Sequence, residues 1–272
     1  MSTAILAKGA EPQPLRGPWE GPARSPANVH LMKLTFLGTK GYIEQATDLH
    51  RMHTSTLISY RGKSIRIDCG EDWRGRCDET RQQALLITHC HPDHALGLKD
   101  GCDDPVYAPP EAWEEMGDWP IADRRTIDHR ETVEIAGISV ECFPVQHSSR
   151  CPAVGYRISA GVVTVFYAPD LVYIEDREAA LGGCRAYIGD GATIDRSFVR
   201  KQKDSGALIG HTPVRTQLTW CQKLGVPEMY VTHCGTQIVT GGEDAVRKLQ
   251  EYADERGVTV HVAVDGMRVH LT

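Results

Sequence analysis

The segment LLITHCHPDHALG, residues 85–97, places His89, His91, Asp93 and His94 within six positions. An apolar run, ALLIT, leads directly into it. His89 and His91 are two residues apart, so on an extended backbone both rings leave the same face. Pro92 turns the chain, and Asp93 and His94 leave from the start of the next turn. Four ligand-type side chains therefore converge on one point. Imidazole suits zinc, iron and manganese, and a neighbouring carboxylate suits a hard divalent ion. A polar loop carrying three chance histidines is the weaker reading, because like-charging groups crowded at a strand end cost free energy unless something organises them.

A second ion needs more donors, and other apolar runs end on them. His147 follows ISVECFPVQ, Asp170 ends VVTVFYAPD, His211 lies in GHTP before a helical pattern, and His233 follows MYVT. Singly, each reads better as an ordinary hydrogen-bonded histidine or aspartate. Together, all at strand ends, they point to one edge of a sheet. Asp68, in IDCG, is also at a strand end and reads equally as a turn cap or as an orienting partner for ligand histidines. Five cationic positions, Lys40, His50, Arg51, His53 and Arg150, are candidates for phosphate contact. Solvated surface is the better reading for all five, and Arg150, close after His147, is the first choice among them. Cys90 and Cys234 flank ligands but should point away, as small core residues.

The elements that must position these groups are legible as alternating short runs. Residues 33–37 predict a first strand, 54–60 and 63–70 a hairpin around Arg61-Gly62, and 84–88 a buried strand. TVEIAG, ISVECFPV and VGYRI give strands within 131–158, followed by strands at 162–170, 185–190, 229–233, 258–264 and 267–271. A helix is predicted over 213–224, with Thr212 as its cap, Pro213 at its first position and Gly225 at its end. Another covers 243–256, with Val246, Leu249 and Ala253 facing inward and Gly257 at its end. Hairpins early and helices between strands later predict an α/β protein with two sheets sandwiched by helices. Residues 1–30 hold five prolines and three glycines without apolar periodicity. They read as an irregular extension before one domain over 31–272, with Met32 an alternative natural start.

Composition narrows the function. The 272 residues carry 30 Lys+Arg and 36 Asp+Glu, a net charge of −6, with 41% apolar residues. Such a chain buries a core without disulfides. Its acidity argues against a long nucleic-acid partner, which needs a basic face. A small anionic substrate remains compatible, because bound cations supply local positive charge. No run approaches the roughly 18 apolar residues of a membrane span, and the N-terminus lacks the pattern of a secretory signal. The nine cysteines are odd in number and never spaced CxxC, which favours a reducing compartment, hence a cytoplasmic protein.

With its HxHxDH element, the later His, Asp, GHTP histidine and final TH, the chain resembles the metallo-β-lactamase fold. Within that superfamily it resembles the branch of ribonuclease Z and the phosphonate-pathway phosphodiesterase. FLGT at 36–39, IDCG at 67–70, HSSRCPAVGYRI at 147–158 and VDGMRVHL at 264–271 support this, and the likeness covers about residues 33–272. The HxHxDH element is specific for the fold and poorly specific for substrate. The resemblance implies a four-layer αββα sandwich and two divalent ions, zinc or manganese, or else iron. One ion would be held by His89, His91 and His147, the other by Asp93, His94 and His233, with Asp170 between them. His211 would touch the substrate without ligating. A homodimer is also implied.

Two departures qualify the likeness. Bacterial short-type ribonuclease Z carries a long arm between the ligands matching His147 and Asp170, whereas these lie only 23 residues apart here. The phosphonate-pathway enzyme carries a cysteine-rich zinc site whose matching stretch, 38–55, has no cysteine here. The implied activity is phosphodiester hydrolysis, on small or cyclic nucleotide-type substrates or short nucleic-acid ends. A metal pair would activate water, with Asp93 orienting it. His211 would contact a phosphate oxygen or protonate the leaving alkoxide. Rival readings are lactone or thioester hydrolysis, a tRNA 3′-end endonuclease, and a non-catalytic metal-binding protein.

Overall fold

The computed structural model describes residues 31–203 and 206–272. The predicted extension over 1–30 lies outside the described residues. The described residues form seventeen strands in order. They are β1 (Met32–Gly38), β2 (Ser55–Tyr60), β3 (Lys63–Ile67), β4 (Ala84–Leu86), β5 (Cys102–Ala108), β6 (Ile121–Thr126), β7 (Thr132–Ile135), β8 (Ile138–Gln146) and β9 (Ala153–Ala160). Then come β10 (Val163–Ala168), β11 (Tyr173–Ile174), β12 (Ala186–Asp190), β13 (Arg200–Lys201), β14 (Leu208–Ile209), β15 (Glu228–Thr232), β16 (Thr259–Val262) and β17 (Arg268–Leu271).

One sheet runs β17-β1-β2-β3-β4-β5-β6 and the other β11-β8-β9-β10-β12-β15-β16, with β7 on β8. The short β13 and β14 pair apart from both. In each sheet an antiparallel half built of hairpins passes into a parallel half, β3-β4-β5-β6 and β10-β12-β15-β16. The described residues also form five α-helices, α1 (Pro92–Ala95), α2 (Pro110–Met116), α3 (Arg177–Leu181), α4 (Val214–Leu224) and α5 (Thr236–Asp254), and three single 3-10 turns.

Alternation along the strands builds the layers. Phe36, Ile58, Ile67 and Leu86 of the first sheet pack with Tyr156, Ile158, Val165 and Ile188 of the second in a central core. Their strand neighbours face outward. Leu85, Ile87 and Val106 join Ala112 and Met116 of α2 in one outer core. Phe166 and Tyr187 join Leu218 of α4 and Leu249 of α5 in the other. Strands buried on both faces read as continuous apolar runs, which is why ALLIT and VVTVFYA carry no polar alternation. The result is the expected α/β four-layer sandwich.

Local predictions fail where tertiary contacts override local signals. Thr212 does not cap α4: its hydroxyl donates to the Val172 carbonyl, and Pro213 occupies the cap position without a side-chain bond. Val246 is half exposed, although Leu249 and Ala253 are buried. The last helix begins at Thr236 rather than 243, because Gly242, at φ +53°, breaks it into two segments. A conformation disfavoured for other residues explains why the sequence pattern resumes only after that glycine. Strands β5 and β6 were not anticipated: CDDPVYA and IADRRT have little apolar periodicity and sit toward the edge of their sheet.

Candidate metal centre

Six strand ends meet at the seam between the two sheets. Asp68 follows β3, and His89 to His94 follow β4 and begin α1. His147 follows β8, Asp170 follows β10, Asp190 ends β12 and His233 follows β15. Carboxyl ends of parallel strands, where loops diverge, are the usual place for a ligand crevice.

The ring nitrogens of three histidines converge. His89 Nε2 lies 2.9 Å from His91 Nδ1, which lies 3.1 Å from His147 Nε2. Beside them, Asp93 Oδ2 is 3.4 Å from His94 Nε2 and 3.0 Å from His233 Nε2. Asp170 stands between the groups: its Oδ2 is 3.6 Å from His89 Nε2 and 3.8 Å from both His94 Nε2 and His233 Nε2. The donor atoms thus form three overlapping sets, His89–His91–His147–Asp170, Asp93–His94–His233 and Asp170–Asp190–His211–His233.

The residues fit divalent cations. Three imidazole nitrogens this close cannot all be satisfied by one another, since each neutral ring offers one lone pair. The buried His94 Nε2 has no hydrogen-bond partner. Most of the converging rings are held from their far side, as metal-binding histidines usually are. His94 Nδ1 meets Asp68 Oδ2 at 2.8 Å, His89 Nδ1 meets Thr88 Oγ1 at 3.1 Å, and His147 Nδ1 donates to the Gly210 carbonyl at 3.3 Å. Asp68 is fully buried at φ +61° and also accepts from the Thr88 amide and hydroxyl. Of its two sequence readings, the orienting one describes the geometry.

Electrostatics sort the groups. Burial, and next to it the neighbouring imidazoles, push the His89 imidazolium well down. Burial and His147 bring His91 to about 4. Both rings are therefore neutral and able to ligate. Burial pushes the Asp93 carboxyl up, but His94 and His233 outweigh it and hold it well below the usual carboxylate range. For His211, burial favours the neutral ring, yet Asp170 and Asp190 raise it to about 11. Its Nδ1 sits 2.9 Å from Asp170 Oδ1 and 2.9 Å from Asp190 Oδ2, which leaves Nε2 as the free corner of the ring.

The groups open onto a cavity of about 500 Å³, lined among others by His91, Asp93, His147, Asp170, His211 and His233. All seven sequence-designated ligands and His211 are thus brought together. Arg150 is not: it lies exposed on the loop after His147 and does not line the cavity. The other four cationic candidates are outside the lining as well. Lys40 and His53 both face Asp72, at 3.4 and 3.0 Å, and His50 Nδ1 meets Thr39 Oγ1 at 2.8 Å. Arg51 lends its amide to Asp265. Cys234 is buried and Cys90 partly so, and neither contributes a donor to the cluster.

Sequence reasoning missed Asp190, which fixes His211. A signal existed, because RAYIGD, like VVTVFYAPD, is a buried run that ends abruptly on a carboxylate. It also missed Gly70, where a Cβ would stand 2.1 Å from the Asp93 carbonyl. Only a glycine lets the loop after β3 pack this closely against α1.

Fold and donor set together define a metal-dependent hydrolase of the metallo-β-lactamase type. The chain belongs to the beta-lactamase superfamily, whose domain profile matches residues 63–234. It is 26% identical to a ribonuclease Z of Methanopyrus kandleri, over 88% of this chain and 97% of the relative. Among solved structures it is similar to the metallo-beta-lactamase fold protein YhfI of Bacillus subtilis. The TM-score is 0.68 at 17% identity, with 89% of this chain and 99% of that one covered. A diphosphatase of the PhnP family superposes with a TM-score of 0.64 at 19% identity, covering 89% and 98% of the two chains.

Proposed function

We propose that this chain is a binuclear metal-dependent phosphodiesterase for small or cyclic nucleotide-type phosphodiesters. The observation that carries the reading is Asp170 Oδ2, which faces nitrogens of His89, His94 and His233 at 3.6–3.8 Å. His89, His91 and His147 would hold one ion, Asp93, His94 and His233 the other, with zinc or manganese suited to the mixture. Two such ions, when bound, supply a nucleophile from water at neutral pH and charge for the developing phosphoryl oxygens.

The rest falls to the chain. Asp93, held ionised, orients the attacking water. His211, hydrogen-bonded through Nδ1 to Asp190, presents Nε2 to the cavity, where its protonated ring would donate to a phosphate oxygen and then to the leaving alkoxide. Nδ1 stays with the carboxylates, so the proton transferred is the one on Nε2. A proton donor of this kind suits a poor alkoxide leaving group and favours oxygen esters, a phosphodiester among them, over thioesters.

The relative from Methanopyrus kandleri supports a second reading, a tRNA 3′-end endonuclease. Against it, the interval from His147 to Asp170 is filled by the β9–β10 hairpin, without an inserted arm. No helix among the described residues is long and apolar enough to cross a membrane. All nine cysteines are free thiols, which supports the cytoplasmic placement, and we carry the homodimer and the single domain over 31–272 as parts of the same proposal.

The test joins metal analysis with a substrate panel: bis(4-nitrophenyl) phosphate, cyclic nucleotides, a tRNA with a 3′ trailer, and lactones. Two ions per chain with turnover of small phosphodiesters is expected. Lactone-only turnover, or metal-loaded protein inert across the panel, refutes the assignment. Turnover confined to the tRNA precursor selects the second reading.

A further inference from the structure

Among the described residues three aromatic side chains stand exposed, Tyr42, Tyr173 and Phe198, and two of them, Tyr42 and Phe198, line the cavity of the metal centre. A ring left in water forgoes burial energy that a ligand can recover. Both rings come from loops fastened to the site. The Gly41 amide donates to the Cys234 carbonyl at 3.1 Å and the Ile43 amide to the Gly41 carbonyl at 2.9 Å, which fixes Tyr42 beside His233. A Cβ on Gly41 would come 3.2 Å from His233 Cε1, so this turn packs directly on that ring. The Phe198 amide donates to the His211 carbonyl at 3.2 Å. Its own carbonyl fills the space where Gly210 would carry a side chain. The Phe198 backbone is thus tied to that of His211 and the Tyr42 turn to that of Cys234, next to His233, so little backbone ordering is left for a ligand to impose.

A polar group lies on the same wall. Gln237 lines the cavity. Its Oε1 accepts from the Ile194 amide at 3.0 Å and the Thr193 hydroxyl at 3.1 Å. An amide nitrogen can only donate, so the orientation of Gln237 is fixed and its NH₂ is the end available to a ligand.

We propose that Tyr42, Phe198 and Gln237 form a nucleobase subsite, so that the substrate's scissile phosphate is joined to a nucleoside whose base lies against the two rings. This rests on the phosphodiesterase reading and names the substrate group it selects. A base offers a flat π-face for each ring and carbonyl or ring-nitrogen acceptors at its edge for the Gln237 amide. An aliphatic group has neither, and a plain aryl group leaves the amide unpaired. The cavity, at about 500 Å³, lies toward the small end of small-molecule sites and accepts one nucleotide rather than a length of duplex.

Calorimetric titration of the zinc-loaded protein with uridine 5′-monophosphate and with ribose 5-phosphate separates base from sugar phosphate. The wild type should bind the nucleotide at least tenfold more tightly. Y42A and F198A should each cut that ratio about fivefold or more, as expected for loss of base stacking, while Y42F and F198Y keep it. Both side chains are exposed, so truncation spares the core. A wild-type ratio near one, or a ratio indifferent to both alanine substitutions, overturns the subsite. Because binding is read without turnover, a protein that shows the base preference but cleaves no phosphodiester would instead overturn the catalytic reading alone.

Discussion

Replacing Asp68 by Asn changes one atom and should weaken one of the two ions proposed for the site. Asp68 has no exposed surface, and its carboxylate accepts from the Thr88 amide at 2.9 Å and lies 2.8 Å from His94 Nδ1. Asn tolerates the φ of +61° at this position better than most residues, so the backbone should hold. The Thr88 amide can only donate, which forces the Asn oxygen toward it and the NH₂ toward His94. His94 Nδ1 must then accept, and the ring proton moves to Nε2. That is the atom which has no hydrogen-bond partner and faces Asp93 Oδ2 at 3.4 Å. A protonated nitrogen cannot ligate. Loss of such an orienting partner weakens metal binding by about 10–100-fold, or about 1.4–2.7 kcal/mol. Metal content after dialysis against a graded chelator should show one ion weakened by that factor. The ion at His89, His91 and His147 should be retained, and the melting temperature of the metal-free protein should change little. Two ions held with wild-type affinity would refute the tautomer argument, and equal loss of both with a large fall in melting temperature would show a general collapse instead.

Other perturbations separate the parts of the site. D190N removes the carboxylate that holds His211 Nδ1 at 2.9 Å; kcat on bis(4-nitrophenyl) phosphate should fall about 100-fold, the order of a lost general acid, with KM nearly constant in steady-state kinetics. H89A should leave one ion or none per chain by mass spectrometry of metals, and at least about a 1,000-fold loss of turnover if the reaction needs both. G70A sets a methyl against the Asp93 carbonyl; strain of about 1–3 kcal/mol should lower both the melting temperature and the affinity of the Asp93–His94–His233 ion. L249A, which opens the fully buried outer core, should cost about 2–5 kcal/mol in denaturant unfolding while metal content at 25 °C stays at the wild-type level.

What the sequence disclosed depended on whether a residue's role is local. HxHxDH is legible because a strand, a proline turn and a one-turn helix bring four donors together within six residues. The apolar runs were legible because both faces of the parallel strands are buried. Thr212 misled because its hydroxyl is claimed by Val172, a partner 40 residues away that no cap signature records. Arg150 misled because nearness in sequence to His147 does not survive the turn that follows β8. Asp190 was overlooked although its run was noticed, because its partner His211 is in another loop 21 residues on. Tyr42 and Phe198 carry no signal at all: an exposed aromatic in a loop is ordinary until the loop is seen to be fastened beside the centre.

Parallel pairing supplies the reason that such scattered residues meet. In a parallel sheet neighbouring strands end on the same side, so the residues at or just past the ends of β10, β12 and β15 must emerge together, whatever the length of chain between them. Asp170, Asp190 and His233 occupy those positions. On the other sheet β3 and β4 run parallel for the same reason, which puts Asp68 beside the histidine loop. Packing the sheets face to face then brings the two sets of strand ends to one seam. The three side chains Asp170, Asp190 and His233 need no long-range design beyond that register, because each lies at its strand end or within two residues of it. It also follows that substitutions able to shift register in β10, β12 or β15 should remove metal before they remove secondary structure, since a slip of one residue turns each donor to the opposite face.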